Sequence, residues 1–184
     1  MKKVLLVLAC VLLSASAWAS ISLNLNFDDE ILRQNALLSG TQLGYFNGSV
    51  GYIWDSGIML SFKYDHMETG NMTVSATPAK LVAVIPSLGI GYKMNLFEKF
   101  VWVTNVNAGY CMSARYELNN TTNYHATGFA PSATTALYYD VINPFYVGVE
   151  AGYRYLDVSY KDLSNADLNL SGPFFGVSLL YIFG

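Results

Sequence analysis

The residues with chemical capacity in this chain are few and widely spaced. Two histidines, His66 and His125, offer imidazoles for general acid–base work. A hydroxyl nucleophile or a supporting acid would come from Ser75, Thr69, Thr121, Thr122, Glu68 or Asp162, and no serine follows either histidine at close spacing. Asp28-Asp29-Glu30 is an acidic run that would bind a divalent cation or simply keep a loop solvated. A larger polar set comprises Lys63, Asp65, Asn105, Asn107, Arg115, Glu117, Glu150 and Arg154, spaced evenly along otherwise apolar stretches. Cys111 reads as a small packing residue, and one thiol outside the N-terminal segment makes neither an internal disulfide nor a zinc site. Gly89-Ile90-Gly91 resembles a fragment of a nucleotide-binding loop, but no helix follows it. No cofactor or metal is expected.

These side chains depend on the elements that carry them, and those elements are strands. From Lys99 to Glu117 the residues alternate almost without interruption. Phe100, Trp102, Val106, Tyr110, Met112 and Tyr116 share one side, and Asn105, Asn107, Gly109, Ser113 and Arg115 the other. A period of two over such a length predicts a long strand with two chemically different faces. Ordinary strands run about five or six residues, whereas a tilted membrane-spanning strand needs about 9–11.

The same alternation predicts eight strands in all. Strand one covers Ile21–Phe27, strand two Gln42–Trp54, strand three Ile58–Glu68 and strand four about Lys80–Lys93. Strand five is the segment above, strand six runs about Tyr124–Tyr139, strand seven Phe145–Tyr160, and strand eight ends at Phe183. Short connections follow strands two, four and six, with Asp55-Ser56-Gly57 and Asn143-Pro144 as turn signals. Longer ones follow strands one, three, five and seven. Ile31, Leu32, Leu37 and Leu38 have roughly helical spacing and predict a short helix within Asp28–Gly40. Pro86, Pro131 and Pro173 fall in or beside strands and predict bulges. Trp54, Tyr92, Phe97, Phe100, Trp102, Tyr139, Phe145, Tyr181 and Phe183 lie beside the short turns. Tyr64, Tyr116, Tyr124, Tyr153 and Tyr155 lie toward the long loops, giving two aromatic belts.

The N-terminus predicts export. Met1-Lys2-Lys3 is a basic start, Val4–Leu13 an apolar core too short to span a bilayer, and Ala17-Trp18-Ala19 a small–x–small cleavage pattern. The expected division is a signal peptide at 1–19 and one domain at 20–184. Processing removes Lys2 and Lys3 and leaves all 13 acidic residues, so the domain is more acidic than the −3 of the whole chain. With no basic stripe, nucleic acid is excluded as a partner class. Hydrophobic residues make up 53% and charged residues 12%, yet no later stretch is long and apolar enough for a transmembrane helix. An exported, apolar, strand-rich chain is either a transmembrane barrel or a soluble sandwich or barrel.

An eight-stranded barrel is just wide enough for its interior to be filled by side chains. The polar set then faces inward, as a packed, ion-paired plug or as a selectivity filter. The narrowness favours the plug. Glu150 and Arg154 share a strand face and can reach each other through their long side chains. Val149 should face lipid. An arginine there is expected to cost more than replacing the inward Arg154 with methionine.

Ser171–Phe183 (Ser-Gly-Pro-Phe-Phe-Gly-Val-Ser-Leu-Leu-Tyr-Ile-Phe) resembles the closing strand of small outer-membrane barrels of the OmpA/OmpX-like class. Gly148–Tyr155 resembles the strand before it. The resemblance implies an all-β, up-and-down antiparallel barrel in a bacterial outer membrane. It also implies that Tyr181 and Phe183 form the signal read by the outer-membrane assembly machinery. Expected partners are outer-membrane lipids, that machinery, and a surface ligand at the external loops. The expected role is structural or surface-interacting, without an open pore or catalysis. Two alternatives stand beside it. One is a lipid A-modifying hydrolase or acyltransferase using a rim histidine. The other is a soluble lipocalin-like carrier, which requires the aromatic faces inside and Lys63, Glu150 and Arg154 outside.

Overall fold

The computed structural model describes residues 19–31, 42–69, 72–74, 77–118, 122–160 and 166–183. The expected leader lies outside the described residues, apart from its last residue. Among the described residues every regular element is a strand. They are β1 Ala19–Ile31, β2 Gln42–Trp54, β3 Ile58–Thr69, β4 Met72–Val74, β5 Thr77–Phe97 and β6 Phe100–Leu118. β7 Thr122–Phe129, β8 Ser132–Ile142, β9 Phe145–Arg154, β10 Asp157–Tyr160, β11 Ala166–Asn169 and β12 Gly172–Phe183 complete the set.

Antiparallel pairing runs β5–β3–β2–β1–β12–β9–β8–β6, and β5 pairs with β6 to close the ring. Three staves are interrupted: β7 continues into β8, β9 into β10, and β11 into β12. The result is a closed barrel of eight staves, in which closure leaves no free sheet edge. β4 is a short hairpin arm on the start of β5.

Short turns occupy one rim. In the turn after β2, Gly57 has φ +86°, a left-handed conformation that other residues rarely adopt, and its N–H donates to Trp54 O at 2.8 Å. Asn143–Pro144, with a cis peptide bond, joins β8 to β9. At the other rim the strands run further than their sequence predicts. Leu118 of β6 and Thr122 of β7 are still paired, leaving only 119–121 between these strands. β1 likewise persists to Ile31, because Asp28, Asp29 and Glu30 all pair with β2 and β12. Asp28–Ile31 is therefore strand, not the start of a helix. The rest of the expected helix lies outside the described residues.

The interruptions align. β6 has a register irregularity between Cys111 and Ala114, and the next staves break at Ala130–Pro131, Tyr155–Leu156 and Leu170–Ser171. Backbone hydrogen bonds cross the gap: Ala130 N–H to Gly109 O, Tyr155 N–H to Pro131 O, and Leu170 N–H to Leu156 O. Pro131 lies in this seam, where a missing donor costs no ladder bond. Pro86 falls between Val84 and Ser87, where the β5–β6 register shifts. Pro173 stays in register with Tyr153, beyond the last β12 residue paired to β1.

The interior is layered. Near the short turns, Ile53, Met59, Val101, Val103, Ala136, Tyr138 and Leu180 pack with Tyr146 and Ile182. A polar layer follows. Beyond it, Met67, Leu81, Ala83, Ile85, Cys111, Ala114, Leu156 and Leu170 are again buried and apolar or nearly so. Outside, an apolar band surrounds the barrel.

Candidate functional site

The polar layer is built by strand parity. Each stave turns alternate residues inward, so one small or charged side chain in two meets those of the opposite wall. Lys63 and Asp65 come from β3, and Glu150 and Arg154 from β9 across the barrel. Lys63 Nζ lies 3.5 Å from Asp65 Oδ1 and 3.7 Å from Glu150 Oε1. Arg154 Nη2 lies 3.4 Å from Asp65 Oδ2. Glu150 and Arg154 thus take separate ionic partners on β3 as well as sharing a strand face. Phe174 stacks on this group from β12, its ring centroid 5.5 Å from Lys63 Nζ and 5.4 Å from the Arg154 guanidinium carbon.

Sequence reading missed part of the layer. Asn26 Nδ2 donates to Glu150 Oε2 at 3.1 Å and to Asn47 Oδ1 at 2.8 Å. Asn47 Nδ2 in turn donates to Asp28 Oδ2 at 2.8 Å. Ser178 hydrogen-bonds to Asn26, to Asn24 and to the Tyr138 hydroxyl, which also accepts from Asn24 Nδ2 at 2.9 Å. Asp28 is therefore an interior residue of a continued β1, not part of a solvated loop run. The inward set Ser22, Asn24, Asn26 pointed to it, two residues further on. The Asp29 and Glu30 side chains lie outside the described residues. Among the described residues no group of three or more His, Cys, Asp or Glu is placed to hold a metal.

The remaining expected interior residues divide. Asn107 is buried and donates to Ser132 Oγ at 3.3 Å. Asn105 is half-buried on the same inner face, opposite Gly91, where a Cβ would lie 2.7 Å from Asn105 Cγ. Arg115 is a correction: it is exposed on the outer face, because the irregularity between Cys111 and Ala114 turns Ala114 inward in its place. The Glu117 side chain lies outside the described residues; its backbone pairs with Lys80 and Asn123.

The histidines stand apart on the outer wall, on β3 and β7. His66 Nε2 is 3.7 Å from Glu68 Oε2, and Lys80 Nζ donates to Glu68 Oε1 at 2.6 Å. That contact, beyond the apolar band, holds the Glu68 carboxyl below its ordinary range. The Thr69, Ser75, Thr121, Thr122 and Asp162 side chains lie outside the described residues.

The outer face is the reverse of a soluble protein's. Val149 is 60% exposed while Arg154, five residues along the same stave, is 0% exposed. Leu23, Leu25, Val50, Leu60, Phe62, Leu88, Ile90, Val106, Val147 and Val177 are exposed around the ring. A shallow outer groove of about 640 Å³ between Trp102 and Phe175 is lined almost wholly by such side chains. Soluble monomers rarely expose contiguous apolar patches beyond a few hundred Å². The soluble-carrier alternative requires the charges outside and is overturned by their burial. Trp54, Tyr92, Phe97, Phe100, Trp102, Tyr139, Phe145, Tyr181 and Phe183 are exposed near the short-turn rim, and Tyr64, Tyr153 and Tyr155 toward the other. The Tyr116 and Tyr124 side chains lie outside the described residues. The Tyr181 and Phe183 rings pack with centroids 4.5 Å apart, on the strand that closes the ring against β1.

A closed eight-stave ring with ions inside and an apolar band outside has solved counterparts. The fold is that of the small eight-stranded outer-membrane barrels. The chain is similar to Ail, the attachment invasion locus protein of Yersinia pestis, solved in complex with the heparin analogue sucrose octasulfate. Identity is 12%, with a TM-score of 0.58 over 90% of this chain and 99% of that one. The N-terminal β-barrel domain of Pseudomonas aeruginosa OprF matches with TM-score 0.61 at 11% identity, over 89% of this chain and 97% of that one. Neisserial surface protein A matches with TM-score 0.56 at 16% identity, over 89% and 96%. At these identities the likeness is one of fold. No protein-family model matches the sequence, and no curated protein sequence matches it.

Proposed function

We propose that this chain is an integral bacterial outer-membrane barrel with a structural or surface-interacting role, a side-chain-filled interior, no open pore and no catalytic activity. The observation that carries the reading is the inverted distribution of polarity. Lys63, Asp65, Glu150 and Arg154 are buried inside a closed ring whose exposed wall is apolar. Such a wall is stable against hydrocarbon and costly against water. The apolar layers above and below the ionic one support a sealed interior. Water crossing the barrel would have to pass Ile53, Met59 and Leu180 at one end and Leu81, Ile85 and Met67 at the other. The likeness to outer-membrane barrels supports the location, and the aromatic ends of β12, Tyr181 and Phe183, fit a segment presented to the assembly machinery.

The catalytic alternative has less support. His66 and His125 sit on different staves with β5 and β6 between them, and the groups drawn close to His66 are Glu68 and, through it, Lys80. Between β6 and β7, a surface ligand at the far rim would meet an extended hairpin, since these strands remain paired to Leu118 and Thr122.

Fractionation tests the reading. After export, the protein should stay with membranes through alkaline carbonate washing and shift its electrophoretic mobility on heating in detergent, as a closed barrel unfolds. Release into the soluble fraction as a folded protein would refute it.

A further inference from the structure

The buried layer does not balance its charge. Among the described residues, three acids (Asp28, Asp65 and Glu150) and two cations (Lys63 and Arg154) lie inside the ring, each at most 5% exposed. Lys63 stands between Asp65 and Glu150, and Arg154 stands against Asp65. Both cations are therefore engaged by the other two acids. Asp28 makes no ion pair among the described residues.

The strands packed around Asp28 give it one donor. From β2, Asn47 Nδ2 donates to Oδ2 at 2.8 Å. From β12 it faces Gly176, which has no side chain and stands in register between Asp28 of β1 and Glu150 of β9. The next strand beyond that glycine thus presents a like charge. The nearby Asn26 and Ser178 are spent on Asn47, Glu150, Asn24 and Tyr138.

Asp28 Oδ1 is buried and has no hydrogen-bond partner. It borders the same space as the Phe27 carbonyl oxygen, the space that a Cβ on Gly176 would fill. With the carboxyl ionised, both oxygens are acceptors and repel each other. A protonated carboxyl has one O–H to donate. With the proton on Oδ1, that O–H points across the space to Phe27 O, and Oδ2 keeps the bond from Asn47. The charges of the layer then sum to zero. Between apolar layers, a lone carboxylate costs far more to bury than a neutral, hydrogen-bonded acid.

We propose that Asp28 is a neutral carboxylic acid in the folded barrel at pH 7, donating its proton to the Phe27 carbonyl, so that folding takes up one proton. The proposal rests on the sealed interior argued above. In the unfolded chain an aspartate is ionised above about pH 5. The folded state then binds one proton more than the unfolded state, and stability falls as pH rises. The unfolding equilibrium constant should grow about tenfold per pH unit between about pH 5 and 7 from this residue alone. The barrel is thus built to tighten as its medium turns mildly acidic.

The test compares the wild type with Asp28→Asn by reversible urea unfolding from lipid vesicles across that pH range. The amide keeps the shape, accepts from Asn47 and donates to Phe27 O, but binds no proton. His66 and His125 are common to both proteins, so the ratio of their unfolding constants isolates Asp28. That ratio should change about tenfold per pH unit, with the variant gaining on the wild type as pH rises. A second readout needs only the wild type. With aspartate carboxyls labelled with carbon-13, magic-angle-spinning spectra of the folded protein at pH 7 should show one carboxyl at the neutral-acid position. Heat-dependent mobility first establishes folding; a wild type that forms no barrel in lipid defeats the functional reading and this proposal with it. In a folded barrel, parallel pH profiles or the absence of a neutral aspartate signal would overturn the proposal alone. Stability that rises with sodium or potassium concentration in the wild type but not in Asp28→Asn would also overturn it, by assigning the balancing charge to a cation.

Discussion

Arg154 Nη2 and Asp65 Oδ2 face each other at 3.4 Å across the interior of the barrel, both side chains at most 1% exposed. β9 and β3, which carry them, are separated around the ring by β12, β1 and β2. The pair therefore ties opposite walls together. Removing one member of a buried ion pair typically costs about 3–5 kcal/mol, because the other charge is left without its counterpart. Arg154→Met and Asp65→Asn should each destabilise on that scale in reversible urea unfolding from lipid vesicles. The double variant should cost less than the two singles together, by about 0.5–3 kcal/mol. Additive costs would show that the two residues do not act as a pair.

This pairing changes one expectation from sequence. The sequence alone offers Arg154 only Glu150 as a partner, which makes Arg154→Met milder than an arginine at Val149. A charge on the lipid face near the midplane costs about 2–4 kcal/mol. The structure gives Arg154 contacts with Asp65 and Phe174 as well, so its loss should match or exceed that of Val149→Arg. Val149→Leu should be nearly silent in the same unfolding assay, since it keeps the outer wall apolar.

Two glycines separate close approach from open surface. A Cβ on Gly176 would collide with the Asp28 side chain and Phe27 O on the neighbouring strand. Gly176→Ala should therefore force β12 away from β1 and destabilise by about 1–3 kcal/mol. A Cβ on Gly48 would meet only ordinary contacts, Leu25 Cδ2 at 3.5 Å and Asn24 O at 3.8 Å. Gly48→Ala should be neutral or slightly stabilising. Equal effects in vesicle unfolding would contradict the placement of β12 against β1.

Alternation along the chain carried most of the fold. Period-two patterning in segments such as Phe100–Tyr110 separates two faces, and the alternation of short and long connections together with the aromatic closing strand points the apolar one to lipid; a one-residue slip would put Asn105 and Asn107 on that face. Two kinds of information were harder to read. Strand length beyond the membrane leaves little apolar signature, so the alternation of β1 fades after Phe27 and the acidic Asp28 reads as loop although it is interior strand. The parity change before Arg115 was invisible because no glycine or proline marks the Cys111–Ala114 segment; it arises from the seam that four neighbouring staves share. The ionic layer was legible as a set of inward charges. Its partners were not, since Asp65 and Arg154 lie far apart in sequence and meet only across the closed ring.

The proposed absence of catalysis carries a simple biochemical prediction. Replacing His66 and His125 together with alanine should leave the acylation pattern of the cell's lipid A unchanged by mass spectrometry. A changed pattern would promote the enzyme reading.

The most direct measurement concerns which face meets lipid. An environment-sensitive dye is placed at position 149 and, in a separate protein, at position 68, each in the folded chain inserted in vesicles. The dye at 149 should be quenched by lipid-soluble quenchers and shielded from aqueous ones. The dye at 68, beyond the apolar band, should show the opposite. A dye at 149 that ignores lipid-soluble quenchers while the folded protein is vesicle-bound would contradict the assignment of this wall to the bilayer.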